Sequence, residues 1–377
     1  MIKEQLKSIL PGPVRMALYR VKAHMRRMNY RTELSRRVVL VPKHGIFLNY
    51  GGAPAEADLI HGGRVKLGHL SLKYQENLER FNILYLVSSA LPPYPEELAK
   101  WAKRGGAKLV FNQNGVAYPA WAGERCKLIN NQLGQILHLA DYVIYQSEFC
   151  KQSADRYLGA SVAPHQILYN CVDTREFVPL ANKKPTEPWI LLAAGTHQQY
   201  ERVRSVLETV SQLRARGRDV RLILAGKLDF PLAETNYNDL VRELNAYEWI
   251  ERLPPFSQEA ARDLYRRAHL LLHPKYKDPC PTVVIEGMSS GVPVVGSNSG
   301  GMEELIGSDA GVLIEVPESW YEMHVPGTIE MADAVELLMR DWLPRSRAAR
   351  RRAELLFNKE DWLDRHAEIF ESLLRPE

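Results

Sequence analysis

The sequence predicts an α/β fold made of two doubly wound, mostly parallel sheets that face each other across a cleft. Two observations carry that expectation. From Val38 onward, short apolar runs rich in β-branched residues alternate with longer stretches of helical period, as in strands joined by crossover helices. The alternation stops once, at PLANKKPTEP (179–188), and then restarts, which marks a linker between two units. The length agrees, since 377 residues suit two domains of roughly 100–200 residues each.

In the first unit, Val38–Val41 and Ile46–Leu48 read as strands, followed by the glycine-bearing loop NYGGAPAEADLIHGG (49–63). A helix is predicted over 64–79, with Val65, Leu67, Leu70, Leu72 and Leu78 as its apolar members. Strand Ile83–Val87, helix Pro95–Arg104, strand Lys108–Phe111 and helix 127–139 come next, and strands Tyr142–Tyr145 and Ile167–Tyr169 close the unit. The second unit reads as strand 189–194, helix 201–216, strand 220–225, helix 236–246, a short strand at 249–252 and helix 257–267. Strand 269–273, helix 282–290, strand 292–296 and helix 302–306 follow. The expected organisation is a basic segment (1–37), a first domain (38–180), a second domain (185–357) and a terminal helical stretch (358–377).

Composition narrows the class. The chain is 45% hydrophobic and 25% charged, the profile of a soluble globular protein. Four cysteines (Cys126, Cys150, Cys171, Cys280) without a C-x-x-C pair argue against a disulfide scaffold or a thiolate zinc site. They read as the reduced thiols of a cytoplasmic protein. No run approaches 18 apolar residues, and the N-terminus lacks the apolar core of a signal peptide. P-loop, G-x-G-x-x-G, H-E-x-x-H and D-x-D motifs are absent, and the histidines lack ligand spacing, so no metal is expected.

Charge is concentrated at the start. Residues 1–37 carry ten basic and two acidic side chains, a net +8 in a chain whose total is +4. Interleaved with Ile9, Leu10, Val14, Met16, Leu18, Val21 and Met25, they suit an amphipathic helix on an anionic membrane surface. A solvated helix lying on the protein's own surface is the other reading. Without an aromatic stacking platform, the arm does not point to nucleic acid.

The most informative segment is 269–307, HLLLHPKYKDPCPTVVIEGMSSGVPVVGSNSGGMEELIG. It reads as strand, proline-rich turn, helix, strand, and a glycine turn into another helix. The turn after Pro279 offers N–H groups at a helix start, suited to an anion or to sugar hydroxyls. Asp278 lies in that turn and Glu286 eight positions on, placed to grip neighbouring hydroxyl-bearing rings, while Gly300 and Gly301 open a second helix towards the cleft.

This segment resembles the donor-binding signature of retaining family-4 glycosyltransferases with the GT-B fold: Asp278-x7-Glu286, GMSSGVPVV (287–295) and the turn Gly300-Gly301-Met302-Glu303-Glu304. ILYNCVDTREFVP (167–179), ADYVIYQSEFCKQSADRYLG (140–159) and VRLILAG (220–226) are similar to further stretches of that family. The resemblance spans roughly 38–375, more firmly in the second half.

The resemblance implies a nucleotide-sugar co-substrate, UDP- or GDP-linked, no other cofactor, and a saccharide or lipid-linked saccharide acceptor. By similarity, Glu286 would bond the ribose and Asp278 the transferred sugar, helped by backbone N–H groups around Cys280, Pro281 and Thr282. Gly62 and Gly63 resemble the first-domain loop against the diphosphate. Asn114, with Asn112 and Gln113, ends a strand on the acceptor side, and Gly300 and Gly301 complete the donor pocket. Gly195 and Thr196 begin the loop in which the family places an Arg and a Lys as G-R-x-x-x-x-K. Here Thr196 takes the Arg place and Glu201 the Lys place. Arg202, Arg204, Lys227, Lys275 and Lys277 are the candidate replacements, with Arg202 and Lys227 assigned to the donor pocket. That departure keeps a non-catalytic GT-B partner subunit in view, and a nucleotide-sugar epimerase is a third reading. The expected location is the cytoplasm, at the inner face of the cytoplasmic membrane.

Overall fold

The computed structural model describes residues 12–52, 62–180 and 187–375. The first eleven residues of the basic segment, residues 53–61 of the glycine-bearing loop, residues 181–186 of the linker stretch and the last two residues lie outside the described residues.

Helix α1 (Gly12–Ser35) precedes the first sheet. Its C-terminal half docks on the helix α3 (Pro95–Arg104): Leu34 is buried, and Arg27 pairs with Glu96 at 2.7 Å and Glu97 at 2.6 Å. Leu18, Val21, Met25 and Met28, spaced i, i+3, i+7 and i+10, remain exposed.

The first sheet contains β1 (Leu48–Asn49), β2 (Ile83–Val87), β3 (Lys108–Gln113), β4 (Tyr142–Tyr145) and β5 (His165–Ile167), in that spatial order and all parallel. Its strands are near-continuous apolar runs because helices cover both faces. On one face, α3, α5 (Cys126–Leu137) and α6 (Glu148–Leu158) bury Leu98, Trp101, Leu133, Ile136 and Cys150. The other face is covered by α2 (Gly62–Lys73) and by the last helix, α14 (Lys359–Leu374), whose Trp362, Leu363, Ile369 and Phe370 pack with Leu67, Leu70 and Tyr85. A single short turn of helix, α4 (Pro119–Ala122), leads into α5.

The start of this unit differs from the predicted strands. Val38–Val41 forms no strand: Val38, Leu40 and Val41 are exposed, Val39 packs on the first core, and Leu40 N–H donates to the Glu79 carbonyl at 2.9 Å. β1 is only two residues long, because the next N–H groups turn to a side chain: Glu76 Oε1 accepts from Tyr50 at 3.1 Å and from Gly52 at 2.7 Å. The strand expected at Ile167–Tyr169 lies at His165–Ile167.

The second sheet is six-stranded and parallel: β6 (Trp189–Ala194), β7 (Val220–Ala225), β8 (Ile250–Leu253), β9 (Leu270–His273), β10 (Val294–Asn298) and β11 (Gly311–Glu315), in spatial order β11-β10-β9-β6-β7-β8. Helices α7 (Tyr200–Ala215), α8 (Ala233–Glu243) and α12 (Thr328–Arg340) cover one face. α9 (Gln258–Arg267), α10 (Thr282–Ser289), α11 (Met302–Ile306) and α13 (Trp342–Leu356) cover the other. The chain leaves β6 towards β7 and leaves β9 towards β10, in opposite directions. The crevice beyond the carboxyl ends of β6 and β9 is therefore the topological switch point, where such sheets bind ligands.

Candidate active site

Both sides of that crevice carry charge. After β9, His273, Pro274 and Lys275 lead into a turn in which Lys277 takes a left-handed φ of 48° and Asp278 points inward, 6% exposed. Asp278 Oδ2 accepts from His273 Nε2 at 3.1 Å and pairs with Lys275 Nζ at 2.9 Å. Burial opposes its ionisation, but Lys275 and His273 outweigh burial and hold the carboxyl well below its ordinary range. His273 is kept neutral, chiefly by burial, so Nε2 is the donor.

Glu286 sits in the middle of α10, also buried, and accepts the Tyr265 hydroxyl on Oε2 at 2.9 Å. Burial pushes its carboxyl up to about 7, against the smaller opposite effect of that hydrogen bond. The two carboxylates thus differ in state at neutral pH: one fixed as an anion, the other balanced between forms. Cys280 and Pro281 are buried, the Cys280 carbonyl accepting from Asn170 Nδ2 at 2.6 Å. Pro281 precedes α10, and no side chain caps that helix.

Across the crevice, Arg202 on α7 is 5% exposed. One guanidinium nitrogen reaches the Thr196 carbonyl at 3.4 Å, and its Nε has no partner. Burial pushes it down to about 10, with Asp278 as the opposing charge. Asp278 acts on it only through space, and among the described residues no carboxylate pairs with it directly, as a buried charge demands. Gly195 and Thr196 lie at the mouth, Thr196 exposed. The remaining candidate cations go elsewhere: Arg204 to Glu208 at 2.6 Å, Lys227 to Asp229 at 2.7 Å on the surface, and Lys277 to Glu318.

The first sheet closes over this site. A Cβ on Gly62 would lie 3.6 Å from Thr282 Oγ1, and one on Gly115 3.4 Å from Pro279 Cγ. Gly63 is required by its own domain, since a Cβ there would meet Ser89 Oγ at 2.3 Å. Gly300 (φ 70°) and Gly301 pack on the turn itself: side chains would meet the Asp278 carbonyl at 2.4 Å and the Pro279 carbonyl at 2.2 Å. Asn114 donates its amide to Ser89 Oγ at 2.5 Å and presents Oδ1 to Lys66 Nζ at 2.8 Å. Beside the glycine turn lies a polar cavity of about 530 Å³ lined by Phe149, Arg156, Lys277, Ser299, Gly300 and Trp320. Among the described residues no three His, Cys, Asp or Glu side chains converge as metal ligands do.

Comparison with known proteins follows this geometry. Residues 174–353 match the family of glycosyl transferases, group 1. A D-inositol 3-phosphate glycosyltransferase of Corynebacterium diphtheriae is 28% identical over 161 residues, 42% of this chain, and the match spans only 36% of that relative. Among solved structures, Anabaena Alr3699/HepE in complex with UDP superposes with a TM-score of 0.66 at 14% identity, over 89% of this chain and 100% of that one. Sucrose-phosphate synthase from Thermosynechococcus elongatus gives 0.61 at 18% identity, over 85% and 80%. The fold is GT-B. The matched segment is similar to the glycosyl transferases of group 1.

In GT-B terms, the predicted residues fall into two groups. Asp278, Glu286, Arg202, Cys280, Pro281, Thr282, Gly195 and Thr196 lie around the switch point of the second sheet, with Gly62 against Thr282 from the first, while Gly63 and Asn114 make their contacts within the first domain. Lys227 stays outside, and Gly300 and Gly301 act on the turn through packing. Four side chains escaped sequence reading: His273, Tyr265, Lys66 and Trp320. Lys66 left a trace in the sequence. It lies with Gly63, Leu67 and Leu70 at i, i+3, i+4 and i+7, the buried stripe of α2. Trp320 left none, since it sits in the loop between β11 and α12. Its carbonyl accepts from Ala120 N–H at 2.9 Å, and its ring stacks on Phe149 with centroids 5.8 Å apart.

Proposed function

We propose that the protein is a retaining glycosyltransferase of family 4 that moves a sugar from a UDP- or GDP-linked donor to a saccharide or lipid-linked saccharide acceptor. The second domain (185–357) holds the donor and the first (38–180) the acceptor. One observation carries the reading: the buried pair Asp278 and Glu286 sits at the switch point opposite Arg202, a buried cation with an unpartnered nitrogen. That set offers acceptors for ligand hydroxyls and a charge for a leaving diphosphate.

In this reading Glu286 accepts from the ribose and Asp278 from the transferred sugar, while Arg202 and Lys275 replace the cations missing at Thr196 and Glu201. The acceptor oxygen bonds to the anomeric carbon as the bond from that carbon to the diphosphate oxygen breaks. The hydroxyl proton passes to the departing diphosphate on the same face, so configuration is retained. Positioning and charge stabilisation do the work, and no protein nucleophile is needed. Helix α1, with its exposed Leu18, Val21, Met25 and Met28, faces an anionic membrane surface and places the enzyme at the cytoplasmic face. The GT-B fold of UDP-bound relatives supports the donor class, as that of Alr3699/HepE does.

Thermal stabilisation by UDP, GDP, dTDP and ADP, on the wild type and on Glu286→Ala, tests the reading. A ligand at a hundred times its Kd stabilises by about 2.7 kcal/mol. One nucleotide should raise Tm by a few degrees, and Glu286→Ala should abolish that shift. No shift with any nucleotide favours the second reading, a non-catalytic GT-B partner subunit, to which the exposed Thr196 and Glu201 point.

A further inference from the structure

Lys66 is a buried ammonium with no anion beside it among the described residues. Its Nζ donates to three neutral amides: Asn112 Oδ1 at 3.0 Å, Asn114 Oδ1 at 2.8 Å and Gln146 Oε1 at 2.8 Å. Among the described residues no carboxylate lies within ion-pair distance of it. The hydrogen bonds beyond it supply no negative charge either. Asn112 Nδ2 donates to the Tyr85 hydroxyl at 2.9 Å, and that hydroxyl meets His366 Nε2, also at 2.9 Å. His366 Nδ1 lies 2.8 Å from the Trp362 carbonyl, which can only accept, so Nδ1 carries the proton and Nε2 accepts from Tyr85. Every group in the series donates away from Lys66. The chain fixes the amide oxygens towards the ammonium and leaves its charge unneutralised.

An isolated buried cation is costly unless something offsets it. The location says from where. Asn112 and Gln113 end β3, Gln146 follows β4, and the carboxyl ends of such strands are the ligand side of the sheet. Lys66 is one helical turn from Gly62, which lies against Thr282, and the Cys280 thiol in the second domain is close enough to act on its charge. Burial pushes the ammonium down to about 8, so it remains mostly charged at neutral pH.

We propose that Lys66 is the first domain's counter-charge to the diphosphate of the donor, acting through space from beneath the strand ends and compensating for the glutamate at position 201. The inference rests on the glycosyltransferase reading above and adds a recognition element to it: Lys66 senses the phosphates, not the base or the sugar. Low dielectric around the site strengthens that field relative to water.

Calorimetric titration of UDP and UMP, and of GDP and GMP, tests this on the wild type, Lys66→Met and Gln146→Glu. Gln146→Glu keeps the lysine and its packing but sets a carboxylate against it. Both variants should lose diphosphate affinity by about tenfold while monophosphate affinity changes little, so the ratio of the two collapses. A melting curve within a few degrees of wild type confirms folding, and Gln146→Glu decides if Lys66→Met does not fold. Unchanged ratios in the folded variants overturn the role of Lys66 and leave the glycosyltransferase reading standing. A wild type that binds none of the four nucleotides overturns both.

Discussion

The Tyr265 hydroxyl donates to Glu286 Oε2 at 2.9 Å inside the second domain, joining α9 to α10 under the crevice. That bond is the polar partner of a carboxyl that burial raises to about 7.

Stability should therefore depend on pH through Glu286. Its folded value lies above the ordinary 4.5. Between about 4.5 and 7 the native state holds a proton that the unfolded chain has lost, and each rise in pH then favours unfolding. The Glu286 contribution is complete below 4.5 and lost as pH climbs through 7. Glu286→Gln should flatten the fall in Tm between pH 5 and pH 8, measured by calorimetry. A fall as steep as that of the wild type would assign the pH dependence to other groups.

Arg202→Met should separate binding from stability. The change removes a buried charge with an unpartnered nitrogen and keeps much of the apolar volume, so Tm should hold or rise. Nucleoside diphosphate affinity should fall by about tenfold or more. A lower Tm with unchanged affinity would make Arg202 a structural residue.

Glu304 reaches from the second domain to cap a helix of the first. Its carboxylate accepts from Glu148 N–H at 2.7 Å and Phe149 N–H at 2.9 Å, the first turn of α6. Glu304→Ala should cost about 0.5–2 kcal/mol, the usual range for a lost N-cap. Hydrogen exchange should quicken at Glu148 and Phe149, leaving Cys150, whose N–H the Ser147 hydroxyl accepts, and β7 unaffected.

The basic helix makes a separate prediction. Co-sedimentation with vesicles containing phosphatidylglycerol should be strong at low salt and weak at high salt, and Leu18→Glu with Met25→Glu should abolish it. Equal binding to neutral vesicles would sink the electrostatic part of the proposal.

Most of the second sheet was legible because its strands are built on apolar runs, WILLAA and the LILA of β7 among them, separated by helices of ordinary length. The edge of the first sheet was not. Val38–Val41 has strand composition, but Phe47 and Asn82 carry the pairing that would have extended it, and Glu76 diverts the N–H groups after Asn49. At the site, Asp278 and Glu286 were singled out by their spacing and by the resemblance it carries. Their states were not, because those depend on Lys275, His273 and Tyr265, which approach through the fold. Of the five candidate replacement cations, Arg204 and Lys227 find carboxylates on the surface, and Lys277 is buried beside Trp320 and paired with Glu318, which leaves Arg202 and Lys275 beside Asp278. Trp320 shows the limit clearly: nothing in a loop of ESWYEM indicates that its indole will end on Phe149 of the other domain.

The position of α14 has a consequence for the order of synthesis. Trp362, Ile369 and Phe370 cover the face of the first sheet that Leu67, Leu70 and Tyr85 present, and they are translated after all six strands of the second. On the ribosome the first domain cannot finish before the second. Its half-covered face must wait, apolar and open, while some two hundred further residues emerge. The later-made domain is the one whose core is complete when its own last strand and helices appear. Slow or paused translation past residue 187 therefore prolongs the time in which that apolar layer lacks the cover of α14.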